Sequence, residues 1–373
     1  MAGEPTSAQI TFEKVKTAYY PEWGFRPRVP MFPIKLNFVV MNGGMGDYIC
    51  WMQSIRWLAS EATWIEGGLV IPTYMKELVE YWLKPYALRG WTFTDYPNVN
   101  QIPKVDATPF RGPVDLNREA LNATGAHLLT CGWVYFTNKE RAPGGTDWWA
   151  SEAKGRDVGW DNYPQFKQSD LDAVALPPEA ASLERGKYVV ITTGVTTPSR
   201  KVPTGAWNHI IDHVTKKGLR PVFLGKAVVE TGNAKNINTR WEPGTNFHLG
   251  LDLRDRTTLM QAASLMSNAA CVVGHDNGLL HLAACTEVPI VFGYNLASPE
   301  HREPRRPIGK MYNVVLTKDL ACYYCQSKTN FVIGYNFREC FYKDLLCMDM
   351  LFENNAELWK IQIDKALEES TIR

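Results

Sequence analysis

The sequence predicts an α/β protein built from two Rossmann-like, doubly wound domains. In both halves of the chain, short apolar runs typical of buried parallel strands alternate with amphipathic patterns typical of helices. Several of these runs end in a loop of glycine or small polar residues, as the strand-to-helix turns of such folds do. A length of 373 residues exceeds that of a typical single domain and favours two.

The composition is that of an ordinary globular protein. With 45% hydrophobic and 21% charged residues, a disordered or fibrous chain is excluded. The 40 Lys and Arg residues balance 39 Asp and Glu to a net charge of +1, which argues against a protein that coats nucleic acid through charge alone.

The location expected for this chain is the cytoplasm, with no transmembrane segment. No uninterrupted apolar stretch approaches the ~20 residues that span a bilayer. Residues 1–9 are polar and show no secretory signal. The eight cysteines are irregularly spaced, which favours reduced thiols over a disulfide framework.

The first half is predicted to hold an N-terminal arm, residues 1–33, and a Rossmann-like domain, residues 34–178. Four prolines favour an extended arm. Residues 131–170 show no clean period and are interpreted as long functional loops. The predicted regular elements of the domain are a strand at 35–41, a helix beginning near residue 48, a strand at 68–71 and a helix at 74–83.

The second half shows a cleaner alternation and is predicted to form the other Rossmann-like domain, residues 186–350. Its expected strands are 188–193, 221–225, 271–274 and 288–292, and its expected helices are 207–217, 258–266 and 278–285. A C-terminal segment, residues 355–373, is expected to hold a helix at 356–367.

Two loops of the second domain have the composition of anion-binding sites. Residues 276–281, Asp-Asn-Gly-Leu-Leu-His, lie between a predicted strand and a helix, where ligands of parallel sheets bind and where helix N–H groups favour phosphate. The alternative is helix capping by Asp276 or Asn277. Residues 192–203 combine glycine, four threonines and an Arg-Lys pair, which suits a diphosphate, with a solvated turn as the alternative.

The loop that follows the first strand is not a dinucleotide-binding loop. Residues 43–47, Gly-Gly-Met-Gly-Asp, lack the Gly-x-Gly-x-x-Gly spacing and the Lys-Ser/Thr pair of a P-loop. They place Asp47 after the strand among residues of little bulk, where it could act as a general base for a substrate hydroxyl. Helix capping by Asp47 is the alternative.

Together these three loops resemble glycosyltransferase family 9, the heptosyltransferase-like enzymes with the GT-B fold. Gly46-Asp47-Tyr48-Ile49 is similar to the family's Gly-Asp-x-Ile loop, and residues 199–203, Ser-Arg-Lys-Val-Pro, to its Ser-Lys-Arg-Trp-Pro segment. Residues 274–284 are similar to its Gly-Asn-Asp-Ser-Gly-Pro-Met-His-Leu-Ala-Ala signature, the most specific of the three. Order and spacing agree from about residue 35 to the C-terminus.

The resemblance implies a GT-B protein whose two domains face each other across a cleft. It implies an inverting, metal-independent glycosyltransferase that needs no cofactor and moves a sugar from a nucleotide-diphospho-sugar to an acceptor hydroxyl. By analogy Asp47 is the catalytic base, and Gly43, Gly44 and Gly46 form the acceptor-side loop. The residues assigned to the donor diphosphate and sugar are Thr193, Thr196, Arg200, Lys201, Asp276, Asn277, Gly278, Leu279 and His281.

The departures from the family leave the acceptor open. Arg200 replaces the family's Lys, Val202 its Trp, His275 its Asn and Leu279 its Pro. A saccharide or glycolipid is the first expectation, and a hydroxymethylated base in DNA the alternative, because of a basic run at 301–310 and tryptophans in the 131–170 loops. A sugar-nucleotide-binding protein without catalysis is a further alternative, motivated by the substitutions at 200–203.

Other polar groups are weaker candidates. Asp170-Leu171-Asp172 resembles a metal-binding Asp-x-Asp but does not end an apolar strand. His209 and His213 are interpreted as ordinary surface residues, and the basic run at 301–310 most often forms a solvated loop. No metal site is expected, although a local cluster of four cysteines is a weak zinc candidate: Cys322, Cys325, Cys340 and Cys347.

Overall fold

A computed structural model of the chain divides it into two compact units, Met1–Pro164 and Gln165–Arg373. The residues that the structure describes are 34–39, 45–46, 48–49, 52, 65–87, 91–96, 163–193, 202, 205–226, 228–229, 237–238, 246–296, 298–299, 303–304, 306, 308–315, 324 and 346–370.

The described part of the first unit is a parallel three-stranded sheet with a helix. Its elements are β1 (Ile34–Val39), β2 (Ile65–Pro72), a 3-10 turn (Thr73–Met75), α1 (Lys76–Ala87) and β3 (Trp91–Tyr96). The strand order is β1-β2-β3, with Ile34 opposite Ile65 and Gly67 opposite Trp91. The amphipathic spacing of α1 buries Leu78, Val79, Trp82 and Leu83. The predicted strands and the helix at 74–83 are confirmed.

The second unit contains a six-stranded parallel sheet. Its strands are β4 (Tyr188–Thr192), β5 (Arg220–Leu224), β8 (Leu251–Asp252), β9 (Cys271–His275), β10 (Ile290–Tyr294) and β11 (Met311–Val315). A short antiparallel pair, β6 (Val228–Val229) and β7 (Ile237–Asn238), lies outside this sheet. Strands β4, β9 and β10 are buried along their whole length, as the continuous apolar runs predict.

The order of the sheet is β11-β10-β9-β4-β5-β8. The chain therefore builds outward from β4 to β5 and β8, returns to the other side of β4 with β9, and continues to β10 and β11. This is the strand order of a Rossmann-type sheet, and its reversal point lies between β4 and β9. The predicted α/β, doubly wound fold class is confirmed.

The helices of the second unit include the four predicted at 207–217, 258–266, 278–285 and 356–367 and two short ones that were not predicted. They are α2 (Gln168–Asp172), α3 (Ala206–Lys216), α4 (Leu259–Ser267), α5 (Gly278–Ala283), α6 (Leu346–Asp349) and α7 (Ala356–Ser370), with 3-10 turns at Pro178–Ala180 and Asn246–Leu249 and a π-helical turn at Met350–Asn354. Helix α3 ends before Gly218, whose φ of +74° favours glycine. Helix α4 begins with a capping box of Thr258 and Gln261.

Residues 165–178 pack on the second unit, although they were predicted as the end of the first domain. The Phe166 amide donates to the Cys285 carbonyl at 2.9 Å, and the Ser264 hydroxyl donates to the Leu171 carbonyl at 2.8 Å. The Pro177-Pro178 pair, interpreted as a linker, opens a 3-10 turn within this unit. The composition of a proline pair does not reveal which neighbour a segment packs against.

The C-terminal helix α7 is part of the second unit. Trp359 is buried and stacks on Phe352 with ring centroids 5.1 Å apart, and its indole N–H donates to the Leu351 carbonyl at 2.8 Å. A Cβ placed on Gly293 of β10 would lie 2.6 Å from this indole, so glycine is needed for the close approach. Helix α7 therefore covers the sheet rather than forming a separate tail.

His213 is not an ordinary surface residue, because it joins α3 to α7. Its Nε2 lies 2.8 Å from Asp364 Oδ1, its side chain is only 14% exposed, and Lys217 Nζ lies 2.9 Å from the same oxygen. Burial alone would raise the pKa of Asp364, but hydrogen bonds from Lys217 and His213 outweigh it and lower the pKa.

This cluster predicts a stability contribution that depends on pH. Because the pKa of Asp364 is lowered on folding, the contribution is present above the unfolded pKa of about 4 and is lost as the pH falls through the folded value. The carboxylate is 36% exposed, so Asp364→Asn should reduce stability at pH 7 by no more than about 1 kcal/mol. Thermal unfolding at pH 7 and pH 3 measures it. The exposed Glu184→Gln is the control, and an equal loss for Asp364→Asn at both pH values would contradict the assignment.

Within the ranges described above, none of the helices is both long and apolar enough to cross a membrane.

Candidate functional site

The strand order of the second unit's sheet reverses between β4 and β9, and the crevice expected at the carboxyl ends of these strands is the candidate site. β4 and β9 are neighbouring parallel strands, with Thr192 opposite Gly274, so the loops that follow them leave the same edge of the sheet. In doubly wound sheets, ligands bind outside the carboxyl ends of the strands at this reversal point. The described start of one predicted anion-binding loop, Thr192 and Thr193, thus lies at the same edge as the start of the other, although the two are about 80 residues apart in the sequence.

Gly274 allows the two strands to approach closely at this edge. A Cβ at residue 274 would overlap the Thr192 hydroxyl oxygen, and it would lie 3.2 Å from the Thr192 carbonyl oxygen. A larger side chain would therefore push β4 and β9 apart at the start of the crevice.

Asn277 links the two loops through its side chain. Its Oδ1 accepts from the Leu280 amide at 3.1 Å, which makes it the N-cap of α5. Its Nδ2 donates to the Thr192 hydroxyl at 3.1 Å. The capping alternative for this loop is therefore correct for the Asn277 side chain, which is engaged within the protein.

The start of α5 still presents backbone donors. The first-turn amides of a helix have no acceptor within the helix. The Leu280 amide donates instead to the Asn277 side chain. The amides of Gly278 and Leu279 belong to the same first turn and lie at the positive end of the helix dipole. Gly278 carries no side chain that would block access to them.

Asp276 and Thr193 add a carboxylate and a hydroxyl at this edge of the sheet. Asp276 is 3% exposed, and its amide donates to the Gly293 carbonyl at 3.2 Å, which extends the ladder between β9 and β10. Thr193 is 7% exposed, and within the described ranges its buried hydroxyl has no hydrogen-bond partner. A buried hydroxyl in that state is destabilising unless something binds it.

His281 lies on the side of α5 that faces the sheet. It is buried, and its ring meets Phe292 of β10 edge-on with centroids 6.3 Å apart. Leu279, which stands where the family has Pro, is also buried. The backbone of the predicted segment 276–281 thus borders the crevice, while several of its side chains pack inward.

His275 belongs to an aromatic cluster on α3 and the C-terminal segment. Its ring lies 6.3 Å from that of Trp207 and 6.1 Å from that of Phe352. Because neighbouring residues of a strand face opposite sides of the sheet, His275 and Asp276 take different environments. The replacement of the family's Asn at this position is therefore accommodated by packing.

Tyr294 is a site residue that sequence reasoning missed. It ends β10, beside Asp276, and is fully buried. Burial, followed by the charges of Glu303 and Asp276, raises the pKa of its phenol well above the ordinary value. The predicted strand 288–292 stopped two residues short of it. Extending the search to the carboxyl end of every parallel strand would have found it.

Arg306 does not fit the interpretation of the basic run as a solvated loop, while His301, Arg302 and Arg305 lie outside the described residues. It is 6% exposed, and its guanidinium donates to the carbonyls of Val288 at 2.8 Å, of Thr286 and of Ile308. Lys310 pairs with Glu369 at 3.3 Å. The sequence could not reveal that buried carbonyls would surround this arginine.

Several predicted site residues lie outside the described residues: Asp47, Gly43, Gly44, Thr196, Arg200, Lys201, Cys322, Cys325 and Cys340. Gly46 lies in a helical stretch, and Cys347 is buried in α6. Asp170 and Asp172 lie on α2, where Asp172 pairs with Arg185. Among the residues that the structure describes, no three or more His, Cys, Asp or Glu side chains form a group that could hold a metal.

Comparison with known proteins matches this part of the chain to one family. Residues 157–335 match the model of glycosyltransferase family 9 (heptosyltransferase). A 107-residue stretch is 30% identical to lipooligosaccharide heptosyltransferase 2 of Haemophilus influenzae, and it covers 27% of this chain and 30% of that relative. The chain thus spans less than a third of the length of that relative.

Solved structures of similar fold cover most of the chain. The iron-containing dodecameric glycosyltransferase TibC of enterotoxigenic E. coli superimposes with a TM-score of 0.60 at 17% identity, over 91% of this chain and 78% of that one. The family 9 glycosyltransferase of Veillonella parvula gives 0.55 at 14% identity, over 90% and 98%. The predicted resemblance to family 9 and the GT-B fold class are confirmed.

Proposed function

We propose that this protein is an inverting, metal-independent glycosyltransferase that uses a nucleotide-diphospho-sugar. The observation that carries the proposal is the group of polar residues at the carboxyl ends of β4 and β9. It combines backbone amides, a buried hydroxyl and a carboxylate at the reversal point of a Rossmann-type sheet, within the residues that match family 9. A ligand with both phosphates and hydroxyls suits this combination.

The donor side stabilises the charge of the leaving group. In this proposal the diphosphate lies against the amides of Gly278 and Leu279, with the hydroxyl of Thr193 beside them. Thr196, Arg200 and Lys201 complete the phosphate contacts, because a guanidinium can bind two phosphate oxygens at once. Asp276 accepts hydrogen bonds from the sugar.

The acceptor side supplies the base. The carboxylate of Asp47, on the loop of Gly43, Gly44 and Gly46, removes the proton from the acceptor hydroxyl. The acceptor oxygen then forms a bond to the anomeric carbon while the bond from that carbon to the phosphate oxygen breaks. The nucleoside diphosphate leaves with the electron pair, and one displacement inverts the anomeric configuration.

The comparisons support a heptose-type donor. TibC is a heptosyltransferase whose structure was solved in complex with ADP-D-β-D-heptose, and the Haemophilus influenzae relative is a lipooligosaccharide heptosyltransferase. We therefore propose an ADP-linked heptose, or a sugar of similar shape, as the donor and a saccharide or glycolipid as the acceptor. A cytoplasmic location is part of the proposal, in keeping with the free thiol of Cys271.

A panel of nucleotide-sugars tests the donor. At one hundred times its dissociation constant, the true donor should add about 2.7 kcal/mol to the free energy of unfolding. We expect ADP-sugars to give the largest rise in melting temperature, and the product anomer, identified by NMR, to be inverted. Sugar phosphates without the nucleotide serve as controls. A panel in which no nucleotide-sugar stabilises the protein would contradict the proposal.

The same assay with a chelator tests metal independence. We expect EDTA to leave the transfer rate within twofold, because base and leaving-group contacts come from side chains and amides. Since TibC contains iron, metal content is measured on the same sample. A rate that falls with EDTA and returns with iron or zinc would instead assign a metal to the cysteines at 322, 325, 340 and 347.

A further inference from the structure

Tyr294 carries a buried hydroxyl that makes no hydrogen bond within the described residues. The residue is fully buried, and within the described part of the chain its hydroxyl has no hydrogen-bond partner. Its ring is held in place by stacking on Phe292, with centroids 4.2 Å apart and an angle of 7° between the planes. Leaving a buried hydroxyl without a partner destabilises a protein, so such a group calls for an explanation.

The position of Tyr294 places it beside the donor crevice. Phe292 pairs with Gly274 and Gly293 with His275, and the bond from the Asp276 amide to the Gly293 carbonyl continues this register. Because side chains alternate along a strand, Asp276 and Tyr294 fall on the same face of neighbouring strands, the face of Phe292 and α5. The carboxylates of Glu303 and Asp276 both act on the phenol and, after burial, raise its pKa, in keeping with this register.

The two groups have complementary hydrogen-bonding roles. A carboxylate can only accept hydrogen bonds, whereas a phenol that stays protonated can donate one. The raised pKa of Tyr294 keeps its proton in place at neutral pH. A sugar hydroxyl needs both partners, because it donates through its hydrogen and accepts through its oxygen.

We propose that Tyr294 is a specificity-determining residue that donates a hydrogen bond to one sugar hydroxyl of the donor, while Asp276 accepts a hydrogen bond from the same hydroxyl. This inference rests on the proposed function. It states that the site recognises one hydroxyl group of the transferred sugar. Sites built to bind a hydroxyl discriminate strongly against analogues that lack it, because their polar groups are then left without partners.

The test compares two phenylalanine variants of buried tyrosines. Tyr294→Phe removes an unused hydroxyl, so the ligand-free protein should melt at the same temperature as the wild type or higher, while the KM for the donor rises about 5- to 10-fold. Tyr188→Phe is the matched control. Its hydroxyl donates to the Leu265 carbonyl at 2.7 Å, so this variant should melt at a lower temperature with an unchanged KM.

Donor analogues that each lack one sugar hydroxyl then identify the hydroxyl that Tyr294 recognises. One of them should bind the wild type about 5- to 10-fold more weakly than the full donor, and Tyr294→Phe should show no further loss with that analogue. If the wild type turns over the donor but Tyr294→Phe keeps its KM, or if no deoxy analogue shows this coupling, the inference is overturned. A wild type that binds no nucleotide-sugar contradicts the proposed function instead, and this is seen before any variant is compared.

Discussion

Replacing Asp47 by asparagine is expected to reduce the transfer rate by about 10²- to 10⁴-fold, the usual contribution of a general base. The amide has nearly the same shape as the carboxylate but cannot accept the proton of the acceptor hydroxyl. Donor affinity should stay within twofold, because the proposed donor contacts come from other residues. The measurements are kcat with saturating substrates and the dissociation constant of the donor by calorimetry.

Asp172→Asn is the matched control for this experiment. Asp172 lies on α2 in an ion pair of 3.9 Å with Arg185, and both side chains are largely exposed. We expect this variant to keep wild-type turnover. If it lost activity while Asp47→Asn did not, the Asp-x-Asp interpretation of residues 170–172 would replace the present one. A wild type that binds the donor without turnover would instead be a sugar-nucleotide-binding protein.

The largest effect on stability is expected for Arg306→Ala. Its guanidinium donates to three main-chain carbonyls, those of Val288, Thr286 and Ile308. Without it, these acceptors lose their donor in an interior where each costs about 1–3 kcal/mol. We expect the free energy of unfolding to fall by about 3–5 kcal/mol, in the upper range for single substitutions. Urea denaturation followed by circular dichroism measures this loss.

Two further variants separate a structural role from a role of charge. Lys310→Ala removes a cation whose side chain is 69% exposed in its pair with Glu369, and it should change stability by less than about 1 kcal/mol. Arg306→Lys keeps the charge but lacks the guanidinium's planar fork of five donors, so we expect it to recover little stability. If Arg306→Ala unfolded like the wild type but lost salt-dependent binding to DNA, the basic run would bind an anionic acceptor after all.

Local patterns account for the elements that the sequence predicted well. The helix expected at 207–217 is observed at Ala206–Lys216, because Ile210, Ile211 and Val214 form one apolar face and Gly218 ends it. The helix at 258–266 carries its own start signal in the capping box of Thr258. The strands of the second unit are continuous apolar runs between turn residues. All of these signals lie within about ten residues of the element that they specify.

The candidate site was predictable for a different reason. Residues 192–203 and 274–284 resembled two parts of one family motif, and that resemblance implied that they share a ligand. The sequence alone did not distinguish capping from binding in the second loop, because the same Asp-Asn-Gly stretch serves either purpose. The bonds of Asn277 to Leu280 and Thr192 make that distinction for its side chain.

The sequence on its own therefore established the fold class, most element boundaries and the family resemblance, and it predicted the two loops proposed to bind the donor, since each signal is encoded in neighbouring residues. The order of the strands, the burial of Arg306, the link from His213 to Asp364 and the position of Tyr294 beside Asp276 became known from the folded chain. These features join residues 18 to 151 positions apart. No local propensity carries information about such partners, because burial and hydrogen bonding arise only when distant segments pack together.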